Sequence, residues 1–255
     1  MSSSPAPSVS LFDHLLELRN RLLRSVLGVL LVFCCLVYFA QDLYQYVAQP
    51  LLETMPQGSQ MIATDVASPF FAPFKLTLVL SLFIAMPFVL YQVWSFVAPG
   101  LYANEKRLIA PLMLGSTVLF YGGIAFAYFL VFPVVFAFFT SVAPEGVVIA
   151  TDISSYLDFI LKLFFAFGIA FEIPIAIILM CWTGMTTPDS LREKRPYVVV
   201  GAFVIGMLLT PPDIISQTML AVPMLLLFEV GIIIASMYHK EDEDESIGTQ
   251  EQNND

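Results

Sequence analysis

The sequence predicts an all-α polytopic membrane protein with six transmembrane helices, both termini cytoplasmic, and a short final pair of helices. Three observations carry that prediction. Hydrophobic residues form 58% of the 255-residue chain and charged residues only 13%, with a mean hydropathy of +0.82. An ordinary soluble domain has ~25% charged residues, and a soluble fold of this length cannot hide so much apolar surface. Long uncharged runs recur along the chain, and basic residues gather in the segments that alternate between those runs. Together these features exclude a disordered chain, a disulfide scaffold and a basic nucleic-acid binder.

The runs define the spans in order. Arg24 to Asp42 leaves 17 uncharged residues, Lys75 to Glu105 leaves 29, Arg107 to Glu145 leaves 37, and Arg195 to Asp213 leaves 17. A fourth apolar stretch, 156–183, is interrupted by Asp158, Lys162 and Glu172, and the last, 214–236, contains Glu229. A spanning helix needs ~20 mainly apolar residues, and lipid offers unpaired amides no partner, so these six stretches are helices. The third is overlong and contains Pro133, which predicts a kink or an extension beyond the membrane. The last two meet at Thr210-Pro211-Pro212-Asp213, a tight turn in which the prolines stop one helix and Asp213 caps the next. Seventeen residues reach only about 26 Å against a ~30 Å hydrocarbon core, so this hairpin is expected to be thin.

Orientation follows from the basic residues. Nine of eleven Lys and Arg lie in the N-terminal arm, the 99–107 loop, the 184–196 loop and the start of the tail, which share one side if there are six crossings. The other side has none in its clear loops; Lys75 and Lys162 sit near helix ends there. The positive-inside rule then places both termini in the cytoplasm. The chain divides into a cytoplasmic arm (1–21), a six-helix domain (22–238) with an external cap segment (42–73), and an acidic tail (239–255) expected to be disordered. Seven acids and one lysine fall in 237–255, so much of the net charge of −10 belongs to that end. The cap segment carries Pro50, Pro56, Gly58, Pro69 and Pro73 and is expected to fold back on the bundle.

Enzymatic signatures are missing. No phosphate-binding glycine loop occurs, and the two histidines, His14 and His239, stand at opposite ends of the chain. Cys34, Cys35 and Cys181 have a spacing that suits neither a disulfide framework nor a metal site, so no cofactor is expected. A translocase or receptor component, a proton- or ion-coupled small-solute transporter, and a scaffold for partner helices remain.

Four acidic features matter. Glu17 lies in Asp13-His14-Leu15-Leu16-Glu17-Leu18-Arg19-Asn20-Arg21, an amphipathic helical arm, where it either pairs with Arg21 at i,i+4 or accepts a cationic ligand. Glu105 either answers the helix dipole of the third span or faces a guanidinium. Glu172 falls mid-span in Phe171-Glu172-Ile173-Pro174, where a charge costs at least ~2.5–3.5 kcal/mol; it is either a protonated packing group or part of a partner or substrate path. Asp158 and Lys162 are four apart and are expected to pair. Trp94, Tyr91 and Tyr102 read first as interfacial belt residues.

Six stretches then identify a family. LFDHLLELRNRLL (11–23), MIATDVASPFFAPFK (61–75), YQVWSFVAPGLYANEKR (91–107), FFAFGIAFEIP (164–174), KRPYVVVGA (194–202) and LTPPDIISQ (209–217) resemble the TatC family, the core receptor component of the twin-arginine protein translocase. The resemblance covers about residues 11–238. It implies a protein of the bacterial inner membrane that binds signal peptides bearing two consecutive arginines. It further implies export of folded proteins on the proton-motive force, with TatA-like and TatB-like single-span partners in a multi-copy complex. By residue, it implies that Glu17 and Glu105 contact the arginine pair, with Phe96 nearby and Arg19 in the same arm. Pro50 and Asp65 would shape the cap, Glu172 would line the inner concave face, and Asp213 and Gln217 would mark the outer hairpin near the partner helices.

Overall fold

The computed structural model describes residues 11–54, 61–97, 109–142, 152–209 and 214–252. Among these the backbone is helical apart from turns and one isolated parallel bridge, Ile62 to Asp152. The all-α expectation therefore holds. The stretches His14–Gln49, Ala110–Phe138, Ile153–Trp182 and Gln217–Met237 are each long and apolar enough to cross a bilayer. The pair Ser68–Ile84 and Met86–Val97, bent at a short break, makes a fifth if it is one span, and Arg195–Leu208 is a shorter apolar helix.

The breaks between helices follow the prolines. Helix α1 (Leu11–Leu36) passes through a 3-10 turn, Val37–Phe39, into α2 (Ala40–Thr54), so the first part of the expected cap segment continues the first span. Helices α3 (Ser68–Ile84) and α4 (Met86–Val97) meet at 51°. Pro87 has no N–H to give the carbonyl of Phe83, and the Tyr121 hydroxyl donates to that oxygen instead at 2.9 Å. Helix α5 (Ile109–Phe126) leads into α6 (Phe132–Val142) through a π-turn at Ala127–Val131, immediately before Pro133. The kink expected at Pro133 thus takes the form of one wide turn, closed by the Phe132 N–H on the Ala127 carbonyl. Helix α7 (Ile153–Ala170) is separated from α8 (Ile173–Trp182) by Phe171 and Glu172, with Pro174 at the new helix start.

After the short α9 (Pro188–Glu193) come α10 (Arg195–Leu209) and α11 (Ile214–Gln252). α10 is short at 15 residues, as expected. The expectation that the final helix is also short is corrected: α11 has 39 residues, and its apolar part alone, Gln217–Met237, has 21. Glu229 does not shorten it because Arg195 pairs with that carboxylate at 2.6 Å. α11 runs on to Gln252, into the segment expected to lack order; Glu, Lys and Gln are good helix formers and no proline interrupts them. The Thr210–Asp213 turn lies outside the described residues.

The core explains the abundance of phenylalanine. Phe83, Phe120, Phe132, Phe164 and Phe167 are buried together with Tyr156 and Ile160, joining α3, α5, α6 and α7. Phe83 meets Phe120, Phe164 and Phe165 edge-on. α5 and α7 approach so closely that a Cβ at Gly123 would stand 2.4 Å from the Phe167 carbonyl oxygen. Trp94 corrects its expected place in an interfacial belt: it is 5% exposed, whereas Tyr91 is exposed. Tyr102 lies outside the described residues.

The starts of α3 and α7 lie side by side at one end of the bundle. Asp152 caps α7, accepting from the Ser155 N–H at 2.9 Å and, across 88 residues, from the Thr64 N–H at 3.0 Å and hydroxyl at 2.8 Å. Four donors on one carboxylate hold its pKa well below the usual range, led by the Ser155 and Thr64 amides. A depressed pKa means that the stabilisation is present above the ordinary carboxylate value and is lost only as pH falls towards the folded value. Protection of the Thr64 and Ser155 amides, corrected for intrinsic exchange, should therefore be equal at pH 7 and pH 6 in hydrogen-exchange mass spectrometry. Asp152→Ala should remove it at both.

Candidate functional site

The N-terminal arm forms the first part of α1 and packs on the end of α4. His14 stacks on Phe96, with ring centroids 4.3 Å apart. Glu17 follows His14 by three residues, on the same helix face. Phe96 thus meets the arm at His14, and Glu17 stands about one turn further along α1. Arg21 donates to Glu17 Oε1 through Nε at 2.9 Å and Nη2 at 2.6 Å, which is the i,i+4 pair foreseen as one reading of this residue. Both contacts fall on Oε1, so Oε2 has no donor among the described residues. Arg19 is exposed and donates to the neighbouring Asn20 side chain at 3.2 Å. Glu105 lies outside the described residues, eight positions beyond Val97, where α4 ends.

The second feature lies inside the bundle. Glu172 occupies the break between α7 and α8, where its own N–H reaches the Ile169 carbonyl at 3.0 Å and its carbonyl accepts from Ala176 at 2.9 Å. The buried Ser116 hydroxyl of α5 donates to Glu172 Oε2. Oε1 is buried without a hydrogen-bond partner among the described residues. A half-satisfied acid at a proline-broken helix is an unusual and costly placement inside a membrane. Gln217 sits at the start of α11 against Gly206 of α10, where a Cβ would be 3.5 Å from its carbonyl oxygen. Asp213 lies outside the described residues.

At the opposite end, Asp65 forms the turn that starts α3: its carbonyl accepts from the Ser68 N–H at 3.1 Å and hydroxyl at 2.8 Å, and Oδ1 accepts from Ala67 at 3.4 Å. Pro50 falls within α2. Tyr156 of α7 donates to the α2 carbonyl of Val47 at 3.1 Å, tying this helix to the bundle. The expected Asp158–Lys162 pair is corrected: Asp158 bonds Lys75 of α3 instead, since the side-by-side starts of α3 and α7 bring a second cation to it.

Sequence reasoning missed several of these residues. His14 was read only as evidence against a metal site, and its partner Phe96 is 82 residues away. Asp152 had a legible signal, an acid three residues before Ser155 at the head of an apolar run. Ser116 and Thr64 had none, because hydroxyl residues in apolar helices and loops have no distinguishing pattern.

Comparison with known proteins agrees with this geometry. The family model for the Sec-independent protein translocase protein (TatC) matches residues 13–223. The chain is 61% identical over 240 residues to the Sec-independent protein translocase protein TatC of Haemophilus influenzae, covering 94% of each chain. It is 59% identical to that of Escherichia coli K12, covering 89% of this chain and 88% of the relative. A crystal structure of a twin-arginine translocase receptor, TatC, superposes with a TM-score of 0.79 at 38% identity, covering 88% of this chain and 98% of that one. A crystal structure of a twin-arginine translocase receptor, TatC, in DDM gives a TM-score of 0.80 at 38% identity, covering 87% of this chain and 99% of that one. With this match in sequence and in helix arrangement, the chain belongs to the TatC family, the membrane-spanning components of the Sec-independent protein translocase.

Proposed function

We propose that this chain is the signal-recognising subunit of its translocase, with six spans, both termini cytoplasmic, in a bacterial inner membrane. Glu17 and Glu105 take the two arginines of a signal peptide, with Phe96 beside them and Arg19 in the same arm. The observation that carries this reading is the corner made by the arm and the end of α4. There Glu17 is fixed by Arg21, with no donor to its second carboxylate oxygen among the described residues, and the His14–Phe96 stack holds the arm against α4. The chain leaves that same corner towards Glu105, and eight residues span at most about 28 Å. Guanidinium groups pair with carboxylates in a bidentate fork that an ammonium cannot reproduce, which gives the site its demand for arginine over lysine.

The rest of the assembly follows from size. Six helices cannot line a hole wide enough for a folded protein, so the passage forms with TatA-like and TatB-like single-span partners and further copies of this chain. The proton-motive force drives the step. Glu172, Asp213 and Gln217 serve partner or signal contacts within the membrane, and Pro50 and Asp65 shape the outer cap.

The test is a binding comparison with the purified full chain in lipid nanodiscs. A charge-assisted hydrogen bond contributes ~1.5–3 kcal/mol, so Glu105→Ala and Glu17→Ala should each weaken a twin-arginine peptide by at least ~tenfold. A twin-lysine peptide should bind poorly to the unmodified protein. Unchanged affinity in both variants would overturn this reading, as the scaffold alternative predicts.

A further inference from the structure

The two cations that stand apart from the positive side, Lys75 and Lys162, meet at the mouth of one groove. It lies between α3, α7, α10 and α11 and encloses about 620 Å³. Its walls are apolar, among them Val79, Phe165, Ile169, Ile205 and Met224. Ile169 and Ile205 are 64% and 41% exposed, so the groove opens sideways, towards where lipid stands. The polar groups are confined to the rim: Lys75, Asp158 and Lys162. Lys75 neutralises Asp158. Lys162, one turn further along α7, is exposed and has no hydrogen bond or ion pair among the described residues. The rim thus carries a net charge of about +1 above an apolar slot.

We propose that this groove binds an anionic glycerophospholipid, with one acyl chain along Phe165 and Ile169 and the headgroup phosphate on Lys162, assisted by Lys75. Charge selects the occupant. An apolar helix laid in the slot would cover Lys162 without a counter-ion, a costly arrangement. A phosphodiester supplies the missing negative charge while its chain satisfies the walls. Lysine suits the rim because its aliphatic stem lies along apolar surface while the ammonium reaches the headgroup layer. The proposal does not depend on signal-peptide recognition: its charged rim lies away from the arm, beside the starts of α3 and α7.

Native mass spectrometry of the full chain, released from micelles containing phosphatidylglycerol, tests it. The unmodified protein should retain one phosphatidylglycerol, and retain it better than phosphatidylcholine. Lys162→Gln should weaken retention at least ~tenfold, and Lys162→Arg should restore it. Asp158→Asn, which removes the competing carboxylate, should keep or tighten binding. Ala166→Trp, filling the slot with both lysines intact, should abolish it. Equal retention by Lys162→Gln, equal retention by Ala166→Trp, or no preference over phosphatidylcholine each overturns the proposal. So does displacement by soluble glycerol 3-phosphate, which would make this a free-phosphate site. In membranes, a photo-crosslinker at position 169 should yield a lipid adduct; adducts with polypeptide alone would show a protein occupant and overturn it. Each variant is first checked for a monodisperse elution profile, and for any that fails it the crosslinker in the unmodified background decides.

Discussion

Lysine in place of Glu172 will stop export of a folded reporter protein, whereas glutamine there will leave most of it. At this break between α7 and α8 the Ser116 hydroxyl needs an acceptor, and Glu172 Oε2 supplies it. Glutamine keeps an acceptor oxygen of the same reach. Lysine has donors only, so Ser116 loses its partner and a fixed cation is placed among apolar neighbours such as the buried Ile175. Insertion scales put that charge at ~2.5–3.5 kcal/mol or more, enough to shift an assembly equilibrium by roughly a hundredfold. Reporter export, together with the quantity of the chain in the membrane fraction, checks it. Normal export by the lysine variant would show that position 172 faces neither partner nor signal.

Gly123→Ala will unfold the bundle at a markedly lower temperature, while Gly122→Ala will not. The contrast lies in what each new methyl meets. At position 123 it stands 2.4 Å from the Phe167 carbonyl oxygen and 2.9 Å from the carbon behind it, both backbone atoms of the facing helix. No rotamer change relieves that, so α5 and α7 must separate, and their separation loosens the phenylalanine core between them. Overpacking of this kind costs about 1–3 kcal/mol, and a backbone obstacle belongs at the upper end. At position 122 the nearest atom is a Phe171 ring carbon at 3.9 Å, ordinary contact, and the effect should stay within about 0.5 kcal/mol. Elution profiles of the purified protein in detergent after a temperature series measure both.

Much of the fold is legible because lipid restricts the backbone to helices, so apolar runs and prolines nearly determine the element order. The break at Glu172–Pro174 and the distortion at Pro133 follow from missing N–H groups that can be located in the sequence. Local spacing also foresaw the Glu17–Arg21 pair, because an i,i+4 contact depends on one helix alone. The same rule failed for Asp158 and Lys162, since Lys75 arrives from another helix, and no one-dimensional spacing encodes that. Trp94 misled in a similar way: its position near a helix end suggests an interface, but it is buried, because α4 packs against α1 and α5. The length of the last helix was misjudged because the acids that mark the membrane boundary do not end a helix. The arm's corner was legible by motif, but the contact of His14 with Phe96 depends on how α1 crosses α4.

The wide turn at Ala127–Val131 sets the rotational phase of everything beyond it. Ala127, Val131, Phe132 and Val135 are all buried, and the wide turn lies among them. Removing a single residue from this turn would rotate the part of the helix beyond it by about 100°. Phe132 and Val135 would swing into lipid and their exposed neighbours inward. The length of this segment is therefore locked to its facing, and change there is tolerable only in steps that restore the angle.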